Sequence, residues 1–216
     1  MERESFLARV GRASMTAQLP NAQLSGSLPD YPSGDLVALF RARATAVSAV
    51  VHGPMGRAAV PRVVAAIATG HDATTFMAWD HLPVPGVPIA LAAEGLDRVG
   101  HEVATDDEER ALIRYADLDV GITGSVGGLA ESGSVILTHG PGRPRLASLV
   151  PEIHIALVDA GSITTTLAHW ARENPGAAAT TTNLVVVTGP SRTADIEQQL
   201  NLGVHGPRHL HIVIIR

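Results

Sequence analysis

The amino-acid sequence predicts an α/β protein with a mainly parallel sheet flanked by helices. Short runs rich in Val and Ile alternate with segments that have the apolar periodicity of helices. Apolar residues make up 45% of the chain and aromatic residues only 3%, a composition that suits close packing of helices on a sheet. Clusters of Gly and Pro separate these segments, as turns do between regular elements.

The first 33 residues are expected to lie outside the compact domain. Residues 2–13 place Phe6, Leu7 and Val10 on one face of a short amphipathic helix. Residues 15–33 are rich in Pro, Gly, Ser, Asn and Gln, which is typical of an irregular arm or linker. The helix can pack locally or dock on another subunit, so a homo-oligomer is one expectation. We therefore predict a helix and arm at residues 1–33 and a single α/β domain at residues 34–216.

The first half of this domain is predicted to alternate helices with strands. The predicted helices cover residues 35–48, 57–69 and 105–115. The predicted strands cover residues 49–52 and 74–79. The third helix has Glu108 three residues after Thr105, the spacing of a capping box. A turn-rich stretch at residues 80–88 and a short apolar stretch at residues 89–92 precede it.

The second half is predicted to contain most of the sheet. The predicted strands cover residues 120–123, 134–137, 153–158, 184–187 and 209–215. The predicted helices cover residues 162–172 and a segment that Ser191 or Thr193 caps and that runs to Leu202. Residues 184–187 are expected to be buried on both faces. Because only a Gly-rich turn at residues 124–128 and a few further residues separate the first two strands, we expect those strands to form a hairpin-like antiparallel pair.

Composition and charge exclude several classes of function. The 216 residues contain 16 Lys and Arg against 21 Asp and Glu, and no basic block, so a nucleic-acid partner is not expected. The absence of cysteine excludes disulfides and ligation of an iron–sulfur cluster by these residues. No apolar run approaches the ~20 residues of a membrane span, and the first residues have no apolar signal core. We therefore expect a cytoplasmic protein without a membrane span.

A candidate ligand site follows the predicted strand at residues 184–187. Gly189 begins a tight loop, and the expected helix N-terminus after it gives the usual geometry of a ligand site in an α/β protein. Ser191, Arg192 and Asp195 are predicted to contact a small carboxylate or phosphorylated ligand, with Arg192 balanced by Asp195. His205, between two Gly-containing turns, is a further candidate. The alternative is a simple connection between two elements.

Glu131 is the candidate catalytic residue. It lies between a Gly-rich turn and a strand, where a carboxylate can act as a nucleophile or a general base. The alternative is a structural carboxylate that accepts hydrogen bonds from its own loop. The remaining predicted ligand-binding residues lie in or beside the Gly-containing turns and are Thr123, Gly127, Gly128, Ser132, Gly140 and Arg143. Their alternative interpretation is as ordinary turn glycines and a solvated basic loop.

No metal site or bound cofactor is predicted. His209 and His211 share one face of a predicted strand because side chains alternate there, but two ligands are too few. The sequence contains no HExxH motif, Walker loop or GxGxxG fingerprint. His139 is a weaker polar-site candidate in its Gly/Pro loop.

Three long blocks resemble the LUD-domain family, in its lactate-utilisation protein C branch. They are GITGSVGGLAESGSVIL at residues 121–137, SLVPEIHIALV at residues 148–158 and TGPSRTADIEQQLNLGVHGP at residues 188–207. The resemblance is strong from about residue 117 to residue 216 and weaker before it. One departure precedes the AESG sequence, where the family commonly reads TFSDITLAESGT and this chain reads TGSVGGLAESGS. The family's Asp is therefore lost here.

The resemblance implies a fold similar to glucosamine-6-phosphate isomerase, ribose-5-phosphate isomerase and the CoA-transferases. It also implies a role in oxidation of L-lactate to pyruvate, alongside iron–sulfur partner proteins. In CoA-transferases of similar fold a Glu before a Gly-containing turn is the nucleophile, and Glu131 matches that description without the flanking pattern. Two functions are therefore carried forward: an accessory component of a lactate-oxidising system, and an autonomous enzyme acting on a phosphorylated sugar, a folate or an acyl-CoA.

Overall fold

The computed structural model describes residues 8–9, 34–101, 115, 117–194, 200–202 and 206–216. It divides the chain into two units, Met1–Asp30 and Tyr31–Arg216, and every element below belongs to the second. The predicted N-terminal helix and arm lie outside the described residues, apart from helical Ala8 and Arg9. The predicted helix at residues 105–115 also lies outside them, apart from helical Tyr115.

The described α-helices are α1 (Leu36–Ala46), α2 (Val60–Gly70), α3 (Gly86–Ala93) and α4 (Leu167–Glu173). Helix α1 begins where the Asp35 carboxylate accepts hydrogen bonds from the backbone N–H groups of Val37 and Ala38. Both α1 and α2 were predicted from apolar periodicity and are confirmed. Helix α3 was not predicted, because its apolar residues are nearly continuous and show no single face.

The central sheet contains six strands in the spatial order β1-β12-β7-β4-β2-β3, and each described pairing is parallel. These strands are β1 (Val50–Met55), β2 (Thr75–Ala78), β3 (Asp97–Arg98), β4 (Val120–Gly124), β7 (Ile153–Asp159) and β12 (His209–Ile215). Every residue of β4 is buried, as expected for a strand in the interior of a parallel sheet. The predicted α/β class with a mainly parallel sheet is confirmed.

A second sheet of four strands has the order β8-β5-β6-β9. Its strands are β5 (Gly127–Leu129), β6 (Ser134–His139), β8 (Ile163–Thr164) and β9 (Asn183–Val187). Strand β6 pairs antiparallel with both β5 and β9, whereas β5 pairs parallel with β8. The fold therefore adds a mostly antiparallel layer to the parallel sheet.

The predicted hairpin exists, but with a different first strand. Residues 127–129 form β5 and pair with β6, whereas β4 belongs to the other sheet. Gly127 and Gly128 are consequently buried strand residues, and the prediction of a flexible turn at residues 124–128 is wrong for them. Three residues, two of them Gly, are too few to show a strand periodicity. The chain passes between the two sheets at residues 125–126.

The helix predicted from residue 191 to residue 202 is wrong, because both end segments of this stretch are strands. The structure has strands β10 (Arg192–Ala194) and β11 (Leu200–Leu202), which form an antiparallel pair. Strand β9 is half-buried at the edge of the second sheet, so the expectation of burial on both faces is also wrong. The predicted helix at residues 162–172 is confirmed only for α4, which Thr166 caps through a hydrogen bond from the His169 N–H.

One large apolar core lies around the six-stranded sheet. Its largest fully buried side chains include Phe76 and Ile122 in the sheet, and Phe40 of α1 and Leu91 of α3 packed against it. None of the helices in the described part of the chain combines the length and apolar character that a bilayer crossing requires.

Candidate functional site

A cavity of about 290 Å³ lies between β7 and β12 of the central sheet and β9 of the second sheet. Its lining is His154, Leu210, residues 148–149, residues 186–191 and residues 206–207. The lining combines apolar side chains with the hydroxyls of Ser148, Thr188 and Ser191 and one imidazole. A cavity of this size is close to the lower end of small-molecule sites, about 300 Å³.

The loop after β9 forms one wall of this cavity, as the sequence predicted for Gly189 and Ser191. Gly189 has φ of +74°, and a Cβ there would lie 2.3 Å from the Val47 carbonyl oxygen. Only glycine therefore fits the turn without displacing the end of α1. The Ser191 N–H donates a 2.8 Å hydrogen bond to the Pro207 carbonyl, which joins the two loops of this wall.

His154 forms the buried polar part of the cavity together with Thr123. Alternation along the parallel strands puts both side chains on one face of the sheet, and Thr123 Oγ1 lies 2.9 Å from His154 Nε2. Burial, and secondarily the repulsion that a protonated His139 would exert, lower the pKa of His154 to about 3. The imidazole is therefore neutral at physiological pH and can exchange hydrogen bonds without carrying charge.

A second buried histidine, His139, lies behind Ser148. The Ser148 Oγ lies 3.5 Å from His139 Nε2 and donates its one hydrogen to the Arg145 carbonyl at 3.0 Å. Burial lowers the pKa of His139, Asn183 opposes this change, and the positive charges of Arg145 and Arg143 lower the pKa as well. Both histidines are thus held in the neutral form by the fold.

Two buried polar atoms beside this pair have unused hydrogen-bonding capacity. His139 Nδ1 and Asn183 Oδ1 belong to paired residues of β6 and β9, and neither meets a partner with hydrogen-bond geometry within the described part of the chain. The Trp79 ring packs edge-on against His139 with centroids 5.7 Å apart, and its indole N–H donates to the Pro144 carbonyl. Hydrogen bonding from Asn183 also acts to raise the pKa of His139 against the effect of burial, so the two side chains lie beside each other across the β6–β9 pair.

The floor of the site depends on Gly121. A Cβ at this position of β4 would lie 1.7 Å from the Ala147 carbonyl oxygen and 2.7 Å from the Pro151 ring. The short 3₁₀ helix Arg145–Ser148 therefore lies directly on the sheet backbone. This contact sets the position of Ser148 beside the two histidines.

Glu131 and Ser132 occupy the turn between β5 and β6. Glu131 is exposed, and its N–H donates to the Thr165 carbonyl at 3.0 Å. Ser132 begins a chain of hydroxyls, with 2.6 Å between its Oγ and Ser134 Oγ and 2.7 Å from there to Thr188 Oγ1 at the cavity. The structure therefore links Ser132 to the cavity, whereas Glu131 lies at the outer end of the turn. Its catalytic role stays a prediction.

The other predicted residues lie around the cavity rather than in its lining. In β5, a Cβ on Gly127 would lie 2.7 Å from the Trp170 indole nitrogen, and one on Gly128 would lie 3.0 Å from the Phe40 ring. These glycines permit close packing between layers. Their roles as ligand contacts, which that packing does not test, stay predictions.

The Gly/Pro loop is held by internal contacts. Gly140 and Arg143 form an isolated antiparallel bridge, and Arg143 Nη1 donates to Thr138 Oγ1 at 2.8 Å. Arg192 lies in β10, directly after the cavity residue Ser191. Asp195 and His205 lie outside the described residues, so their predicted roles stay predictions.

Sequence reasoning missed His154, Ser148 and Thr188 as site residues. One signal was available for His154, which interrupts the apolar run from Ile153 to Val158 and is buried with that run. A buried polar side chain needs a partner, and that partner is the predicted residue Thr123. No comparable pattern distinguishes Ser148 or Thr188.

The arrangement suits hydrogen bonding to a small polar ligand. Neutral imidazole and hydroxyl groups can donate to a carboxylate or carbonyl oxygen and accept from a hydroxyl. In the described ranges, no group of three or more His, Asp or Glu side chains is arranged to hold a metal ion.

Comparisons with known proteins identify the family. Lactate utilization protein C of Halalkalibacterium halodurans is 38% identical over 125 residues, which cover 55% of this chain and 54% of that protein. The protein of the same name from Bacillus subtilis is 39% identical over 106 residues, which cover 47% of this chain and 44% of that protein. The chain thus spans about half the length of the curated relatives it matches.

A solved structure supports the fold independently. The crystal structure of a DUF162 family protein from Deinococcus radiodurans has a TM-score of 0.61, with 20% identity, over 84% of this chain and 96% of that chain. The sequence also matches the LUD domain over residues 59–215, which confirms the resemblance drawn from the three sequence blocks. Because this match covers well over half of its residues, the chain belongs to the LUD domain family.

Proposed function

We propose that this chain is a cytoplasmic accessory component of an L-lactate utilisation system. In this proposal it works with iron–sulfur partner proteins that oxidise lactate to pyruvate, and it carries no cluster itself. The observation that carries the proposal is the similarity to proteins named lactate utilization protein C, at 38–39% identity over their matched parts. The absence of cysteine from the 216 residues supports the assignment of the clusters to partners.

The chemistry of the reaction divides naturally between such components. Oxidation of L-lactate to pyruvate removes two protons, one from the hydroxyl group and one from C2, together with two electrons. We assign the electrons to clusters on the partner proteins. The role of this chain is then to bind or orient a small carboxylate, or to present a surface on which the partners assemble.

The cavity at His154 supports a ligand of this class. A three-carbon hydroxy acid fits within about 290 Å³, and the Thr188 and Ser191 hydroxyls offer donors for a carboxylate. The neutral His154 ring offers a hydrogen bond to the hydroxyl or carbonyl group on C2. Arg192, next to Ser191, is the predicted positive charge for the carboxylate.

The first test combines a genetic and a binding measurement. Deletion of the chain from a host that grows on L-lactate should abolish lactate oxidation, and re-expression should restore it. Unchanged oxidation in the deletion strain would contradict the accessory role. The tagged chain should also co-purify with proteins that contain non-haem iron and acid-labile sulfide, and not with a tagged control protein.

The ligand is tested on the purified chain. L-lactate or pyruvate at ~100 times its dissociation constant should add about 2.7 kcal/mol of stability, which appears as a raised melting temperature. A shift with an acyl-CoA, a folate or a sugar phosphate would instead favour an autonomous enzyme. The exposed position of Glu131 on a hairpin turn gives that alternative no added support.

A further inference from the structure

A cluster of four histidines lies on the face of the central sheet opposite to the cavity. His52 lies in β1, His71 caps the end of α2, and His209 and His211 lie in β12. Side chains alternate along β12, so these two point away from the face on which Leu210 lines the cavity. The cluster borders an open pocket of about 360 Å³.

Three of the rings form a hydrogen-bonded chain. His52 Nε2 lies 3.1 Å from His211 Nδ1, and His71 Nε2 lies 3.1 Å from His211 Nε2. His211 thus uses both ring nitrogens, one toward each neighbour. Each of the two links needs one hydrogen between two nitrogens, because two lone pairs or two N–H groups facing each other repel.

The number of ring hydrogens limits the positive charge that these three linked histidines can hold. The two links use two hydrogens, and the outer Nδ1 atoms of His52 and His71 can hold one each. The maximum of four exceeds the three of neutral imidazoles by one. The three linked histidines therefore keep both hydrogen bonds when they carry one positive charge. A second added proton must break one of these hydrogen bonds.

The surroundings provide little to stabilise that second charge. The residues of α2 that face the pocket are apolar: Val63, Ala66 and Ile67. His209 packs against His71 with ring centroids 4.7 Å apart and adds a further titratable group of the same sign. Beyond it, Arg208 and Glu152 form an exposed ion pair at 3.8 Å, whose charges largely offset each other.

The pKa values agree with this picture. Burial first, and then the charges that His52, His71 and His209 would carry when protonated, lower the pKa of His211 to about 4. Burial also lowers the pKa of His52. For His209, burial and the charges of His71 and Arg208 lower the pKa, while Glu152 raises it.

We propose that His52, His211 and His71 form an acid-sensitive lock, which fastens strand β1 and the end of α2 to β12 and releases them when a second proton arrives. Strand β1 is an edge of the six-stranded sheet and pairs with β12 in the described part of the chain. The imidazole link therefore acts on the same strand pair as the backbone ladder that holds β1 to the sheet. The proposal is independent of lactate and of any partner.

Hydrogen exchange at single amides tests the lock. The protection factors of β1 amides, divided by those of β4 amides, should fall at least tenfold between pH 7.5 and pH 4.5 in the wild-type chain. The ratio separates local release of β1 from any general loss of stability, because β4 lies in the interior of the sheet. In His211→Gln the ratio should stay constant, since Gln keeps polar contacts but does not titrate.

Two further variants keep the test decisive. His52→Gln removes the imidazole that β1 contributes to the link and should also flatten the pH dependence, which covers the case in which His211→Gln fails to fold. His81→Gln, an exposed histidine outside the cluster, should behave as the wild type. A constant ratio in the wild type, or an equal fall in His52→Gln, would overturn the proposal.

Discussion

Thr123 Oγ1 and His154 Nε2 lie 2.9 Å apart across the neighbouring strands β4 and β7, and both side chains are almost completely buried. The pair places a hydroxyl and an imidazole in the apolar interior of the sheet. Each group satisfies the other, and His154 also reaches the lining of the cavity. The stability of the fold and the polarity of the site therefore depend on the same hydrogen bond.

Thr123→Val should lower the free energy of unfolding by about 1–3 kcal/mol, because Val keeps the shape of Thr and leaves a buried imidazole nitrogen without a partner. Urea denaturation at pH 7 measures this loss. Thr69→Val is the matched control, since the exposed Thr69 hydroxyl bonds only to carbonyls of its own helix, with a change within about 0.5 kcal/mol. Equal losses in the two variants would contradict the role of the pair.

Gly133→Ala should lower the free energy of unfolding by about 3 kcal/mol or more, through strain and overpacking. Gly133 has φ of +69°, and a Cβ there would lie 2.1 Å from the Ala44 backbone nitrogen in α1. Gly176→Ala is the control, because a Cβ at that position meets nothing within 4 Å. Thermal or urea unfolding compares the two, and an unchanged Gly133→Ala variant would disprove the tight contact between turn and helix.

The stability of the protein should rise with pH between about 3 and 6.5. In this window the unfolded chain protonates His154, while the folded chain, with a pKa of about 3, does not. The free energy of unfolding should therefore fall by about 2–3 kcal/mol through this group when the pH drops from 7 to 4.5. Urea midpoints at the two pH values measure the difference.

His154→Gln removes the titrating group and should reduce that pH difference, whereas His81→Gln should leave it unchanged. His211 contributes in the same direction, since its pKa is also lowered, to about 4. The pH dependence should therefore shrink in His154→Gln without vanishing. A difference as large as that of the wild type would mean that His154 is not protected from protonation.

Val186→Trp should abolish the thermal shift caused by L-lactate or pyruvate. Val186 lines the cavity and is 37% exposed at the edge strand β9, so a larger side chain can block the cavity without entering the core. Ile89→Trp is the control for an added indole, because Ile89 is 74% exposed on α3 and does not line this cavity. A full shift in Val186→Trp would place the ligand elsewhere.

The sequence predicted best the elements whose own apolar residues are sufficient to indicate a buried strand. Residues 153–158 and 209–215 are apolar runs too short for a helix, and they became β7 and β12. Residues 191–202 were misassigned because Ile196 and Leu200, four residues apart, also fit a helical spacing. Strands β10 and β11 instead pair at the two ends of this segment, a local antiparallel contact that the spacing of its apolar residues does not indicate.

The candidate site was predicted in part, for the same reason. A break after a strand indicates a loop at the strand end, and Gly189 and Ser191 of that loop line the cavity. His154 and Ser148 come from separate segments, and only the packing of the 3₁₀ helix on β4 brings them together. The AESG block was predicted to follow a turn, whereas it forms the turn itself, and its link to the cavity passes through Ser134 and Thr188, which no spacing rule connects.

Gly121 contributes no atom to the cavity lining, yet it controls how deep the site can be. Because the Ala147 carbonyl occupies the space of a side chain at residue 121, even a single methyl group would lift the 3₁₀ helix and carry Ser148 away from His139. Substitutions at residues 121 and 147–151 should therefore be tolerated only in matched combinations. A change of ligand in a relative of this chain can then begin with a residue that never touches the ligand.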